Sequence, residues 1–220
     1  MKRVFNLIIV DESGSMCVIE KQALMGLNET IETVKKMQGL HKDMEQRVTL
    51  ITFDSSHKRY VFDNVPASAT HKLTNKEYRP GGATPLYDAI GMGISKLNAQ
   101  TTADDHVLVT IITDGEENCS EEYNLKMIKT LIGKLKKLNW TFTLIGTDNL
   151  DVEGMAGRWR SIITWNSRKT RLERKECSPV SVAPGPATTS AWLSTYRYQW
   201  AATSMKTKQK VEKNSCLMVP

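Results

Sequence analysis

Hydrophobic and polar positions repeat with two different periods over the first two thirds of the chain. Residues 4–10 are apolar apart from Asn6, the pattern of a central strand covered on both faces. A turn follows at Asp11-Glu12-Ser13-Gly14-Ser15. Over residues 19–34, Ile19, Ala23, Leu27, Ile31 and Val34 recur at three- and four-residue steps, which predicts an amphipathic helix. Val48, Leu50 and Thr52 alternate with Thr49, Ile51 and Phe53 in a strand that stops at Asp54-Ser55-Ser56-His57. Residues 60–65 return as its hairpin partner. Loop signals at residues 80–85 precede a helix built on Leu86, Ile90, Ile94 and Leu97, with Pro85 suited to its first turn. Residues 107–112 form another buried strand, broken at Asp114-Gly115. Leu125, Ile128, Leu131, Ile132, Leu135 and Leu138 mark the next helix, and residues 140–145 close the series as a strand.

Strands that alternate with helices of this length need right-handed crossovers, so the expected fold is a three-layer, doubly wound α/β domain. Its sheet is mostly parallel, with one antiparallel edge strand. In such sheets ligands bind beyond the carboxyl ends of the strands, where the winding reverses. Three loops reach that edge carrying oxygen-bearing side chains: Asp11, Ser13 and Ser15, then Thr84, then Asp114.

Two carboxylates and three hydroxyls, with no His or Cys pair nearby, form an all-oxygen donor set suited to a hard divalent ion such as Mg²⁺ or Mn²⁺. The alternate spacing of Asp11, Ser13 and Ser15 lets one tight turn aim three side chains at a point, and Gly14 offers backbone freedom there. Each piece also has an ordinary structural explanation. Ser13 and Thr84 are good helix caps, and Asp114-Gly115 is common turn chemistry. The metal reading rests on all three standing at strand-to-helix junctions of one sheet edge.

At these residues the sequence resembles the von Willebrand factor A domain with its metal-ion-dependent adhesion site. The likeness lies in Ile9-Val10-Asp11-Glu12-Ser13-Gly14-Ser15-Met16, in residues 81–90 and in Ile112-Thr113-Asp114-Gly115-Glu116-Glu117-Asn118, and covers residues 1–157. The resemblance implies that Ser13, Ser15 and Thr84 ligate the metal and that Asp11 and Asp114 act largely through bound water. It also implies that an acidic side chain of a protein partner fills an open coordination position. Such domains are binding modules rather than enzymes, and the short form looks like stand-alone bacterial or phage members. A Mg²⁺-dependent phosphoryl-transfer enzyme is the alternative. Against it, Ser13 occupies the place where a second acid would be needed, and no phosphate-binding glycine loop is present.

Composition divides the chain at the same boundary. The 220 residues carry a net charge of +6, yet residues 1–157 hold 18 Lys+Arg against 21 Asp+Glu, and residues 158–220 hold 12 against 3. The domain is therefore mildly acidic. The tail is basic, holds four of the five tryptophans, and is rich in Pro, Ser and Thr at 178–190, so it is expected to be irregular or disordered. No nucleic-acid partner is expected for the domain, although Arg, Lys and Trp in the tail would suit one. Members of the family end in a further strand and helix, which this chain is expected to lack or replace. A shifted frame over Thr164-Trp165-Asn166-Ser167-Arg168-Lys169 permits Leu-Glu-Phe-Glu-Lys, and the same shift across residues 186–193 permits Ser-Tyr-Tyr-Glu-Arg-Leu-Ala. Both strings resemble the missing elements, which points to a change of frame near residues 158–164.

Met1-Lys2-Arg3 and the apolar run after it lack a cleavage site, and no stretch is long enough to span a bilayer. The scattered Cys17, Cys119, Cys177 and Cys216 suit a reducing cytoplasm. Cys17 and Cys119, each after a site loop, are expected as partly buried thiols near each other. His41, His57, His71 and His106 show no ligand spacing and are expected at the surface or in turns. The basic face of Lys126, Lys129, Lys134, Lys136 and Lys137 is expected in solvent. Glu116, Glu117, Glu121 and Glu122 either raise the local cation concentration or favour a helix start.

Overall fold

An apolar strand with no solvent-facing side needs neighbours on both edges and helices on both faces, and the first strand has both. The computed structural model describes residues 2–114, 117–145 and 164–165. Strand β1 (Lys2–Asp11) pairs in parallel with β2 (Met44–Phe53) on one side and with β4 (His106–Ile112) on the other. Outside β2 runs the antiparallel β3 (Lys58–Pro66), and outside β4 the parallel β5 (Trp140–Ile145). The strand order is β3-β2-β1-β4-β5-β6, with β6 reduced to Thr164–Trp165. The winding therefore reverses between β1 and β4.

Strand periodicity sorts the core into two layers. Phe5, Leu7 and Ile9 of β1 and Val107, Val109 and Ile111 of β4 pack beneath α2 (Leu86–Asn98) and α3 (Leu125–Leu135). Val4, Ile8 and Val10, with Val48, Leu50 and Leu108, face α1 (Glu20–Leu40), whose Ala23, Leu27, Ile31 and Val34 are all buried. Full burial of such a Leu or Ile is worth about 1.5–3 kcal/mol. Asn6 sits in the α1-facing row, and its amide donates to Gln46 Oε1 and the Arg47 carbonyl, both at 3.0 Å.

The expected fold is the observed one, with several differences of detail. Helix α1 runs on to Leu40, because Met37 continues the buried row past Val34, and it is preceded by a 3₁₀ turn at Gly14–Ile19. Leu138 lies beyond the end of α3 and is exposed, so it is no part of that helix's apolar stripe. His106 is buried at the first position of β4, not at the surface, where it pairs with Val4 of β1. The closing edge is not wholly missing: Thr164 and Trp165 pair in parallel with Thr143 and Leu144. The remainder of the tail, the proposed change of frame, Cys177 and Cys216 lie outside the described residues. No helix among the described residues is long and apolar enough to cross a membrane.

Candidate metal centre

Strand β1 delivers Asp11 to the carboxyl edge of the sheet, and β4, one strand over, delivers Thr113 and Asp114. Val10 pairs with Ile112, so the next residues on each strand, Asp11 and Thr113, stand side by side on one face. The Thr113 hydroxyl donates to Asp11 Oδ2 at 2.5 Å, and the Ser13 amide donates to Asp11 Oδ1 at 2.7 Å. Ser13 and Ser15 share a hydrogen bond between their hydroxyls at 3.1 Å, and Ser15 Oγ donates to Asp114 Oδ1 at 2.8 Å. Four of the five expected donors are thus linked through one chain of hydrogen bonds. Thr84 is buried on the neighbouring loop, two residues past Gly82, whose carbonyl accepts from the Gly14 amide at 3.0 Å.

The capping explanations for the hydroxyls do not hold. Ser13 occupies the cap position of the 3₁₀ turn but makes no side-chain cap hydrogen bond. The cap position of α2 belongs to Pro85, one residue before the helix rather than inside its first turn, so Thr84 is not the cap. Thr84 is held instead by Asn118, which accepts from its amide at 2.8 Å and donates to its carbonyl at 3.2 Å. Among the described residues the glycine with left-handed backbone is Gly82, at φ +72°, not Gly14. A Cβ on Gly82 would come within 2.7 Å of Ser55 Oγ, so the loop before Thr84 needs glycine for both conformation and space.

Burial drives the Asp11 carboxyl above the usual aspartate range, against the hydrogen bonds from Thr113 and Ser13, and the nearby Asp114 charge adds to the rise. Asp114 is raised as well, again chiefly by burial. Among the described residues neither carboxylate has an ion-pair partner. Two desolvated carboxylates linked to Ser13 and Ser15, with no protein cation beside them among the described residues, are a donor set that suits a hard divalent ion. No group of three or more His, Cys, Asp or Glu side chains that could hold a metal ion is found among the described residues.

Several residues that support the site carried no signal in the sequence. Tyr78, fully buried, donates its hydroxyl to the Asp11 carbonyl at 2.7 Å, and burial pushes its own pKa well up. Glu12 is buried too: its carboxylate accepts from the Arg79 amide at 3.0 Å, lies 2.8 Å from His57 Nε2, and stands 3.6 Å from the Arg59 guanidinium. His57 is therefore the turn residue expected, but it also ties the β2–β3 turn to the β1 loop. Of the acidic cluster, Glu117 takes the helix-start role, accepting from the Tyr87 amide in the first turn of α2 at 2.9 Å. The exposed Glu121 and Glu122 give their amides to Asp88 of α2. Gly115 and Glu116 lie outside the described residues. Cys17 is exposed rather than partly buried, and Cys119 is half-buried; both are free thiols.

The fold that carries these loops is found in known proteins. The family model of the von Willebrand factor type A domain matches residues 7–157. The chain belongs to that family. Among solved structures, this vWA domain is similar to the pilus adhesin SpaC from Lactobacillus rhamnosus GG, at 14% identity and a TM-score of 0.61, over 92% of this chain and 31% of that one. It is also similar to proximal thread matrix protein 1 from the mussel byssus, in a structure with a zinc-occupied MIDAS motif. There the identity is 15% and the TM-score 0.53, over 75% of this chain and 44% of that one. The PilB minor pilin from Streptococcus sanguinis, as its D319A mutant, matches at 14% identity and a TM-score of 0.51, over 100% and 64% of the two chains. The vWA chain thus spans less than two thirds of the length of each of these proteins, and the likeness is one of fold. No curated protein matches its sequence.

Proposed function

We propose that the domain is a divalent-cation-dependent protein-binding module without catalytic activity. It takes Mg²⁺ or Mn²⁺ at Asp11, Ser13, Ser15, Thr84 and Asp114 and leaves one coordination position for an acidic side chain of a protein partner. The observation that carries this reading is the pair of desolvated carboxylates, Asp11 and Asp114, linked to the Ser13 and Ser15 hydroxyls and given no cation by the described residues. Hard oxygen donors with several neutral members favour an ion that keeps exchangeable positions. Bound there, the metal supplies a Lewis-acidic site for a carboxylate. Membership of the vWA family supports the metal reading, and the zinc-occupied motif named for the mussel protein shows a divalent ion in a protein of similar fold.

The same geometry argues against Asp11 as a nucleophile for phosphoryl transfer. Both of its oxygens accept hydrogen bonds, it is fully buried, and no second acid stands at Ser13. A cytoplasmic setting is part of the proposal and rests on the free Cys17 and Cys119.

Mn²⁺ titration followed by electron paramagnetic resonance tests the site directly. The wild-type chain should quench the free Mn²⁺ signal with one equivalent of tight binding, and the double variant Asp11→Ala/Thr84→Ala should not. A folded wild-type chain that leaves the free signal unchanged would overturn the proposal.

A further inference from the structure

Beside the candidate centre, the turn after Ser15 touches the loop before Thr84, because the Cys17 thiol donates to the Pro80 carbonyl at 3.5 Å. One residue from each end of that contact stand Val18, 84% exposed, and Arg79, also exposed. Arg79 has no ion-pair partner among the described residues.

Arg79 is nevertheless rooted in hydrogen-bonded backbone next to the site. Its amide donates to the buried Glu12 carboxylate, the Gly81 amide donates to the Glu12 carbonyl at 2.6 Å, and the preceding Tyr78 is bonded to the carbonyl of Asp11. The backbone that aligns Asp11 therefore also fixes where the Arg79 side chain begins. The acids of this quarter are otherwise engaged or do not pair with it. Glu12 is enclosed by His57, Arg59 and the Arg79 amide, and Glu77 is bonded to His71 and Thr74. Glu20, at the start of α1, is half-exposed and makes no ion pair with Arg79. Lys76 adds a second exposed positive charge to the loop, while the exposed Glu121 and Glu122 lie against α2, their amides bonded to Asp88.

A guanidinium without an ion-pair partner among the described residues and an exposed apolar side chain, each one residue from the contact between Cys17 and Pro80, suit a ligand with matching charge and apolar groups. Resting on the metal-dependent reading above, we propose that Arg79 and Val18 form the second part of the docking surface. The partner is an acidic-apolar polypeptide segment: one carboxylate completes the metal, a second acidic side chain pairs with Arg79, and an apolar side chain covers Val18. Charge orients the segment, its acidic end over Arg79 and Lys76.

Random short peptides displayed on phage, selected on the full chain in Mg²⁺ and eluted with chelator, test this. Wild-type selections should enrich two acidic positions and one apolar position. Arg79→Glu should replace one acid by Lys or Arg and weaken peptides selected on the wild type by about tenfold, with loss that fades at high salt. Val18→Asp should erase the apolar preference, and both variants should still bind Mn²⁺. The same consensus from all three proteins overturns the docking surface while leaving the metal site standing, as does a wild type that binds Mn²⁺ but releases no enriched peptides on elution with chelator. A wild type that binds no Mn²⁺ overturns both.

Discussion

Strands β1 and β4 lie side by side, and each end of the pair carries a buried carboxylate, treated in opposite ways. At the amino end, Asp105 accepts two hydrogen bonds from the Arg3 guanidinium, at 3.0 and 2.6 Å, and two more from Thr102. Burial alone would raise the Asp105 pKa, but Arg3 and Thr102 outweigh it and hold the carboxyl below its ordinary range. At the carboxyl end, Asp11 is more deeply buried, its hydrogen bonds come from neutral groups, and a second carboxylate stands nearby. Its pKa moves up. The two ends differ in how deeply the carboxylate is buried and in whether the chain gives it a cation. Where the chain supplies one, the carboxylate fastens the fold. Where it does not, the carboxylate is the group to which the proposed function brings a cation from solution.

Supplying that cation should produce the largest effect. With Mg²⁺ or Mn²⁺ at one hundred times its dissociation constant, the wild type should gain about 2.7 kcal/mol of stability. Asp11→Ala with Thr84→Ala should remove the gain, and thermal melts with and without chelator would show it; equal melting temperatures in the wild type break the comparison. Next in size is Arg3→Ala, which leaves the Asp105 carboxylate buried without its cation and should cost about 2 kcal/mol by urea unfolding. In chelator, Asp11→Asn should cost less than Arg3→Ala or stabilise the fold, since it removes a desolvated charge; a larger loss from Asp11→Asn would reverse the ranking of the two ends. Tyr78→Phe should cost about 1 kcal/mol through the lost bond to the Asp11 carbonyl. It should also weaken Mn²⁺ binding, which a change of purely global stability would leave untouched. The smallest effect is expected on acidification. Because the folded pKa of Asp105 lies below its unfolded value, its contribution is complete above the ordinary aspartate pKa of about 3.9 and fades as pH falls through the folded value. Urea midpoints between neutral pH and about pH 3 should therefore fall less steeply in Arg3→Ala than in the wild type.

Much of the scaffold is readable in the sequence because each element repeats its apolar residues with its own period. Strand β1 and the faces of α1, α2 and α3 follow from that repeat, and Asp11, Ser13, Ser15, Thr84 and Asp114 are conspicuous as oxygen donors at strand-to-helix junctions. What periodicity does not encode is contact between distant residues. Thr113 is only the residue after a strand until β4 lies beside β1 and its hydroxyl, 102 positions from Asp11, meets that carboxylate. Tyr78 sits in a loop without period, yet it is one of the largest fully buried side chains. Gly14 and Gly82 both look able to take a special conformation, and only the structure shows that Gly82, at φ +72°, is the one that takes it. His106 looks like a surface residue until β4 lies beside β1 and pairs it with Val4.

The sequence by itself determined which elements form, which kinds of donor stand at their ends, and where the composition changes from an acidic domain to a basic tail. Those features are local: they depend on the period of burial and on residue chemistry. The tertiary structure decided which donors meet, that Ser13 and Thr84 are not caps, and that Asp105 finds a cation where Asp11 and Asp114 do not. These depend on strand order, because hydrogen bonds and charge interactions act over a few ångströms whatever the distance along the chain.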